Sequence, residues 1–309
     1  NAINTIRREL EIPQNLISYS GLKDKCSISV QKVSIRGNYI DQLKDLKIKD
    51  IFIRDIEPTK KRARLGSNRG NNFTITLRKI PNQDNLEKKV NKLFKTLKEI
   101  GFPNYFGLQR FGTYRPNSHL IGRYVMEGNY ERAVREFVST LYSSESKDLT
   151  KIRYKIGKVL SNSKKLRKAY KDFPKSLTYE CDLIEHLITH PRDYKGAFEH
   201  LDHEILNLII NAFQSYIFNH LISKRVQEGI PLFQPVEGDI ISILDDVNGH
   251  ETNALYEYGQ QYDRYLDEAL ELKRAVIVAP IIGYDTDLED FPLMKRLFED
   301  FIEEEGIDP

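Results

Sequence analysis

The spacing of apolar residues changes near residue 84. Phe73, Ile75 and Leu77 alternate with Thr74, Thr76 and Arg78, the period of a half-buried strand. Beyond it, Leu86, Val90, Leu93, Phe94, Leu97 and Ile100 recur three and four apart. That spacing predicts one apolar side of a helix, with Asp84 near its start and Gly101 and Pro103 at its end. Upstream, the pattern predicts a short helix over 2–12, stopped by Pro13, and strands over 27–35 and 51–57. From about residue 115 helices dominate. One is predicted over 129–142. A long one over 201–226 has Leu206, Ile209, Ile210, Phe213, Ile217 and Leu221 on its apolar side. A strand-like stretch at 239–244, an apolar run at 275–282 and an acidic helix end at 299–305 follow. The serine-containing stretch 143–149 is the expected flexible linker.

With 309 residues the chain can form two ordinary domains, or one domain with a large insertion. Its 40% hydrophobic and 30% charged residues suit a soluble globular protein with a sizeable core. No stretch approaches the roughly 18–20 consecutive apolar residues of a membrane helix. No secretory leader is visible, and because the first residue is Asn1 a segment upstream is expected. Two cysteines, Cys26 and Cys181, are too few for a disulfide framework, so a reducing, cytoplasmic home is expected. The net charge of +2 conceals a polarity: residues 1–175 hold 38 Lys/Arg against 17 Asp/Glu, and residues 176–309 hold 9 against 28. A basic half suits a polyanion such as nucleic acid, although the two halves could instead meet across an internal interface.

Four motifs stand in order along the chain. The first is Gly21-Leu22-Lys23-Asp24-Lys25-Cys26-Ser27-Ile28-Ser29-Val30-Gln31. The second is Leu65-Gly66 followed by Gly70-Asn71-Asn72-Phe73-Thr74-Ile75, with the basic run Lys60-Lys61-Arg62-Ala63-Arg64 before it. The third is Asn104-Tyr105-Phe106-Gly107-Leu108-Gln109-Arg110-Phe111-Gly112. The fourth is Gln214-Ser215-Tyr216-Ile217-Phe218-Asn219, then Glu237-Gly238-Asp239. Together they resemble the TruD family of tRNA pseudouridine synthases, with Ser27 for the usual Ala and Ser29 for the usual Thr. The resemblance implies an α+β fold: an antiparallel-sheet catalytic domain, here residues 1–114, and a mainly helical family-specific insertion, here 115–309. Helix 201–226 would pack near the catalytic half, and RNA would enter the cleft between the domains. The family also carries an upstream segment with an active-site lysine, and a closing strand with a Gly-Ser-(Phe/Tyr)-Ala-Thr pattern. Both are expected outside residues 1–309.

The implied reaction converts uridine to pseudouridine in RNA, usually at uridine 13 of tRNA. It needs an ionised carboxylate near the ribose C1′, a cation to keep it charged, and an aromatic face for the flipped base. No redox or hydrolytic step occurs, so no cofactor is expected. The resemblance makes Asp24 the essential aspartate, as nucleophile or base. Lys23 either supports its charge or is simply solvated. Phe106 could stack on the base and Asn104 hydrogen-bond beside it, whereas Tyr105 reads as core. Gln109, Arg110 and Phe111 would shape the pocket or its RNA edge. Gln214 and Asn219 would reach a pocket or make structural hydrogen bonds. Lys60, Lys61, Arg62, Arg64, Arg69 and Asn71 could grip phosphates, or form a solvated face. The run Lys164, Lys165, Arg167, Lys168 and Lys171, with Tyr170 and Phe173 interleaved, offers a second RNA contact or one exposed helix face.

Other readings remain. His186 and His190, four apart, with Cys181, His200 and His203 nearby, could ligate zinc, but no Cys-x-x-Cys pair supports them. Asp285–Asp290 reads as an acidic loop rather than a calcium site. A tRNA-binding or chaperone module without catalysis would keep the basic half and aromatics yet not depend on Asp24. A metal-dependent nuclease using the acidic half would lose activity to a chelator.

Overall fold

The computed structural model describes residues 2–24, 27–68, 70–81, 84–245 and 249–307. The chain forms two compact units, residues 1–83 and 84–309. The fold class is α+β, mostly helix with small antiparallel sheets.

In the first unit, helix α1 (Ala2–Glu9) precedes strands β1 (Ile17–Tyr19) and β2 (Val33–Ile35), and helix α2 (Ile40–Asp45) follows. The strands pair antiparallel with Ile17 opposite Ile35 and Tyr19 opposite Val33. Ile6, Ile12 and Ile17 form its small core, joined by Ile35, Tyr39, Leu46 and Ile51. The expected strands shrink here. Only 33–35 of the stretch 27–35 pairs, and of 51–57 only Ile51 bridges, to Ile48. No strand forms over 73–77, where Phe73, Ile75 and Leu77 are each at least 73% exposed. Alternation marks a segment suited to a sheet, but a strand exists only where a neighbour supplies the ladder. Among the described residues none does.

The second unit opens with α3 (Leu86–Ile100), a helix where the spacing predicted one. None of its residues is buried, so its apolar side covers no core among the described residues. The short α4 (Leu108–Phe111) leads to α5 (Ser118–Met126), α6 (Tyr130–Ser139), α7 (Lys147–Val159), α8 (Ser163–Tyr170), α9 (Thr178–Thr189) and α10 (Tyr194–Glu199). Side-chain caps start several of them: Asn129 on α6, Ser146 on α7, Asn162 on α8 and Asp193 on α10. Ala133, Val134, Val138, Ile156, Leu166, Leu183, Ile184 and Leu187 are fully enclosed in one core.

The expected linker 143–149 is instead locked in place. Glu145 Oε1 accepts from Arg153 Nη2 at 2.9 Å, and Arg153 also reaches Glu180 Oε1 at 3.1 Å and the Val138 carbonyl at 3.1 Å. Arg153 is 1% exposed, so the buried cation needs these partners. Arg115 adds bonds to the Phe137 and Glu136 carbonyls at 2.8 and 3.1 Å. A serine-containing segment looks flexible in sequence; the buried ion pair of its own Glu145 with Arg153 fixes it.

Helix α11 (His203–Gln227) is the spine of this unit and packs on α5 and α13 (Pro292–Glu305). Among the described residues it alone is long and apolar enough, by length and composition, to cross a membrane. The expectation that no segment approaches that test is corrected here. Its apolarity has a local cause, because Ile209 lies in the helical core while Phe213, Ile217 and Leu221 join Leu293, Leu297 and Phe301 in another. Gly122 of α5 lets the two backbones approach: a Cβ there would lie 2.4 Å from the Ile209 carbonyl oxygen. Beyond α11, β3 (Ile240–Leu244) is central in an antiparallel sheet between β4 (Glu251–Glu257) and β5 (Ala275–Val278), with α12 (Asp263–Glu271) before β5.

Candidate active site

Asp24 lies in the first unit on an irregular, exposed segment just after β1. Two turns of chain are drawn together there. Lys23 Nζ donates to Asn71 Oδ1, so the first and second motifs meet across 48 residues. The Gly66 N–H donates to the Ser20 carbonyl at 2.9 Å, and Gly21 lies against the Asn68 side chain. The Lys23 ammonium thus bonds to an amide oxygen, a partner that neither reading of its sequence named. Ser27 Oγ donates to the Asp24 carbonyl at 2.9 Å.

The basic run divides. Lys60, Lys61 and Arg64 are exposed. Arg62 is exposed as well but reaches the sheet: its Nε donates to Ser18 Oγ at 3.1 Å and its Nη2 to the Asn15 carbonyl at 3.3 Å. The Ala63 N–H donates to Ser34 Oγ at 2.9 Å. The run is therefore stitched to both strands, which leaves Arg62 fewer donors for phosphate than its neighbours. Arg69 and Cys26 fall outside the described residues.

The third motif belongs to the second unit, and α11 of the fourth motif holds it. Asn219 Oδ1 accepts from the Phe106 N–H at 2.9 Å, and Asn219 Nδ2 donates to the Phe106 carbonyl at 3.0 Å. Phe218 meets the Phe106 ring edge-on, with centroids 5.5 Å apart. The Arg110 guanidinium lies over the same ring at 5.0 Å. Tyr105, expected in the core, is 40% exposed, and its hydroxyl accepts from Ser223 Oγ at 3.1 Å. Asn104 and Gln109 are exposed.

Next to this segment runs an aromatic column. Phe111 meets His119 edge-on at 5.3 Å, His119 stacks on Tyr216 at 4.6 Å, and Tyr216 contacts His220 at 4.4 Å. Burial lowers the His119 pKa, His220 adds to the effect, and Glu136 opposes it. Nothing in the sequence singled out His119, because a lone histidine carries no motif. Gln214 is structural: its Nε2 donates to the Ile282 carbonyl at 2.9 Å. So is Asp239, whose Oδ2 accepts from Arg225 Nη2 at 2.8 Å deep in the interior. Sequence cannot tell that buried pair from two surface charges.

The four cations Lys164, Lys165, Arg167 and Lys168 line the exposed side of α8, while Leu166 and Tyr170 face the core. The His186 ring stacks on His190 and meets His200, with centroids 4.7 and 4.6 Å away, while His186 Nε2 lies 2.8 Å from Asp193 Oδ2 and His200 Nδ1 lies 2.7 Å from the Gly196 carbonyl. Hydrogen bonds from His186 and from the Gly196 N–H hold the Asp193 pKa below the ordinary range.

The chain matches the family described as tRNA pseudouridine synthase D (TruD) over residues 1–309. The probable tRNA pseudouridine synthase D of Methanosarcina mazei is 33% identical over 287 residues, which are 92% of this chain and 64% of that protein. Its namesake in Methanopyrus kandleri is 35% identical over 240 residues, 77% of this chain and 58% of that protein. The chain thus spans just under two thirds of the length of these curated relatives. A crystal structure of a Methanosarcina mazei protein described as tRNA pseudouridine synthase D superimposes with a TM-score of 0.84 at 29% identity, covering 99% of this chain and 70% of that one.

Proposed function

The chain belongs to the TruD family, and on that premise we propose that it isomerises uridine to pseudouridine in tRNA, at uridine 13, with Asp24 as the essential carboxylate. The bond from uracil N1 to ribose C1′ breaks, the base turns, and C5 joins C1′. C5 gives up a proton to solvent and N1 gains one, so atoms balance without oxidant, reductant or water consumed. Asp24 acts at the sugar or base as nucleophile or general base. Residues 1–114 carry this chemistry, and residues 115–309 form the insertion.

The observation that most supports the reading is the joining of the first two motifs by Lys23 and Asn71. It puts Asp24 at the edge of a glycine-rich turn preceded by exposed Lys60, Lys61 and Arg64, a suitable place for a carboxylate that must act beside a phosphate backbone. Asn104, Phe106, Gln109 and Arg110 meet the uridine and its neighbours. Arg110 already covers one face of Phe106, so a stacking base shares that ring with a guanidinium. The exposed cations of α8 make a second phosphate contact.

The test is to map pseudouridine, by carbodiimide-dependent reverse-transcription stops, in tRNA transcripts incubated with the protein and a chelator. A stop at position 13, lost when that uridine is replaced by cytidine, is the expected result. Stops elsewhere would reassign the target. Intact tRNA binding with no stop on any RNA would favour the non-catalytic binding module.

A further inference from the structure

We propose that Asn219 is a positioning residue for this reaction, fixing the Phe106 segment in the arrangement that receives the uridine; the role rests on the synthase reading above. Residues 101–107 form neither helix nor strand. Their order is therefore supplied from outside the segment. Asn219 supplies it at one peptide, by accepting from the Phe106 N–H at 2.9 Å and donating to the Phe106 carbonyl at 3.0 Å. A carboxamide that pairs both polar atoms of one residue sets the direction of the backbone as well as its position, which a single hydrogen bond does not.

Its neighbours on α11 act on the same segment. Phe218 braces the Phe106 ring edge-on, and one turn along the helix Ser223 holds the Tyr105 hydroxyl at 3.1 Å. Arg110 lies over the Phe106 ring at 5.0 Å from the other end of the motif. Asn219 thus sets the backbone while Phe218 and Arg110 set the ring. Few side chains can replace it. Aspartate keeps the acceptor but turns a carboxylate toward the Phe106 carbonyl, glutamine is one methylene too long, and alanine has neither group.

The test is steady-state tritium release from C5-labelled tRNA transcripts by the parent, Asn219→Ala, Asn219→Asp, Phe106→Ala and the double variant Asn219→Ala/Phe106→Ala. Amide hydrogen exchange of peptides covering 104–107 is measured alongside. Misplacing a group that receives the substrate costs on the order of 10- to 100-fold. Asn219→Ala should lose that much in kcat, with KM for tRNA little changed, and Asn219→Asp should fall with it. The double variant should be no slower than Phe106→Ala, because both substitutions disable one element. Exchange should quicken over 104–107 while the rest of α11 stays protected.

An active parent with Asn219→Ala at full speed overturns the role alone. So do losses that multiply in the double variant, or unchanged exchange over 104–107, since Asn219 would then not act through Phe106. A parent that releases no tritium from any RNA overturns the synthase reading and this role together.

Discussion

At the scale of single residues, His119 has a consequence for stability. Its ring is packed between Phe111 and Tyr216, and burial lowers its pKa below the ordinary value of 6.5. The folded protein therefore binds this proton less readily than the unfolded chain. The neutral ring's contribution is fully present above pH 6.5 and is lost as pH falls toward the depressed folded value. Thermal midpoints measured from pH 7.5 down to 5 should fall through that window, and His119→Gln should flatten the slope. An unchanged slope in His119→Gln would show that other groups carry it. Asn219 and His119 also mark what the text of the chain concealed. Asn219 was legible as a polar residue on an apolar helix, but its partner lies 113 residues away and no local pattern names it.

Among the elements, α11 was the most legible, because 25 residues repeat one pattern and packing on two sides reinforces it. The expected strand 73–77 was the least: its alternation is real, yet pairing is a non-local property that sequence spacing does not contain. The same limit hid the Arg153 lock behind a stretch that read as a linker. Two outcomes follow from the packing. Gly122→Ala must push α5 off the Ile209 carbonyl, and overpacking of this kind costs about 1–3 kcal/mol. Chemical denaturation should show that loss, and a neutral effect would mean that the helices approach less closely. Glu180→Ala leaves Arg153 with an incomplete set of acceptors in the core, where breaking a buried pair costs about 3–5 kcal/mol. A loss within about 0.5 kcal/mol, the ordinary range for surface changes, would place the pair in solvent.

Across the whole molecule the charge is polarised, with the first 175 residues strongly basic and the remainder acidic. Binding of tRNA should weaken steeply with salt, because each neutralised phosphate releases a counterion. Replacing Lys164, Lys165, Arg167 and Lys168 with alanine leaves the buried side of α8 intact. It should shrink the slope of log affinity against log salt by about 0.7–0.9 for each phosphate contact removed. An unchanged slope would mark that face as merely solvated. The family and the α+β class were legible from four short motifs, since such motifs are local in sequence. The arrangement of the chemistry was less so, because Lys23 finds its partner 48 residues away. The central claim is that this chain forms a carbon–carbon bond at C5 through Asp24. It is tested most directly by tritium release from C5-labelled tRNA, comparing the parent with Asp24→Asn in the presence of chelator. Release by the parent and none by Asp24→Asn, with tRNA affinity and thermal midpoint unchanged, is the predicted result. Equal release by both would contradict the role of Asp24, and no release by either, with tRNA still bound, would contradict the synthase itself.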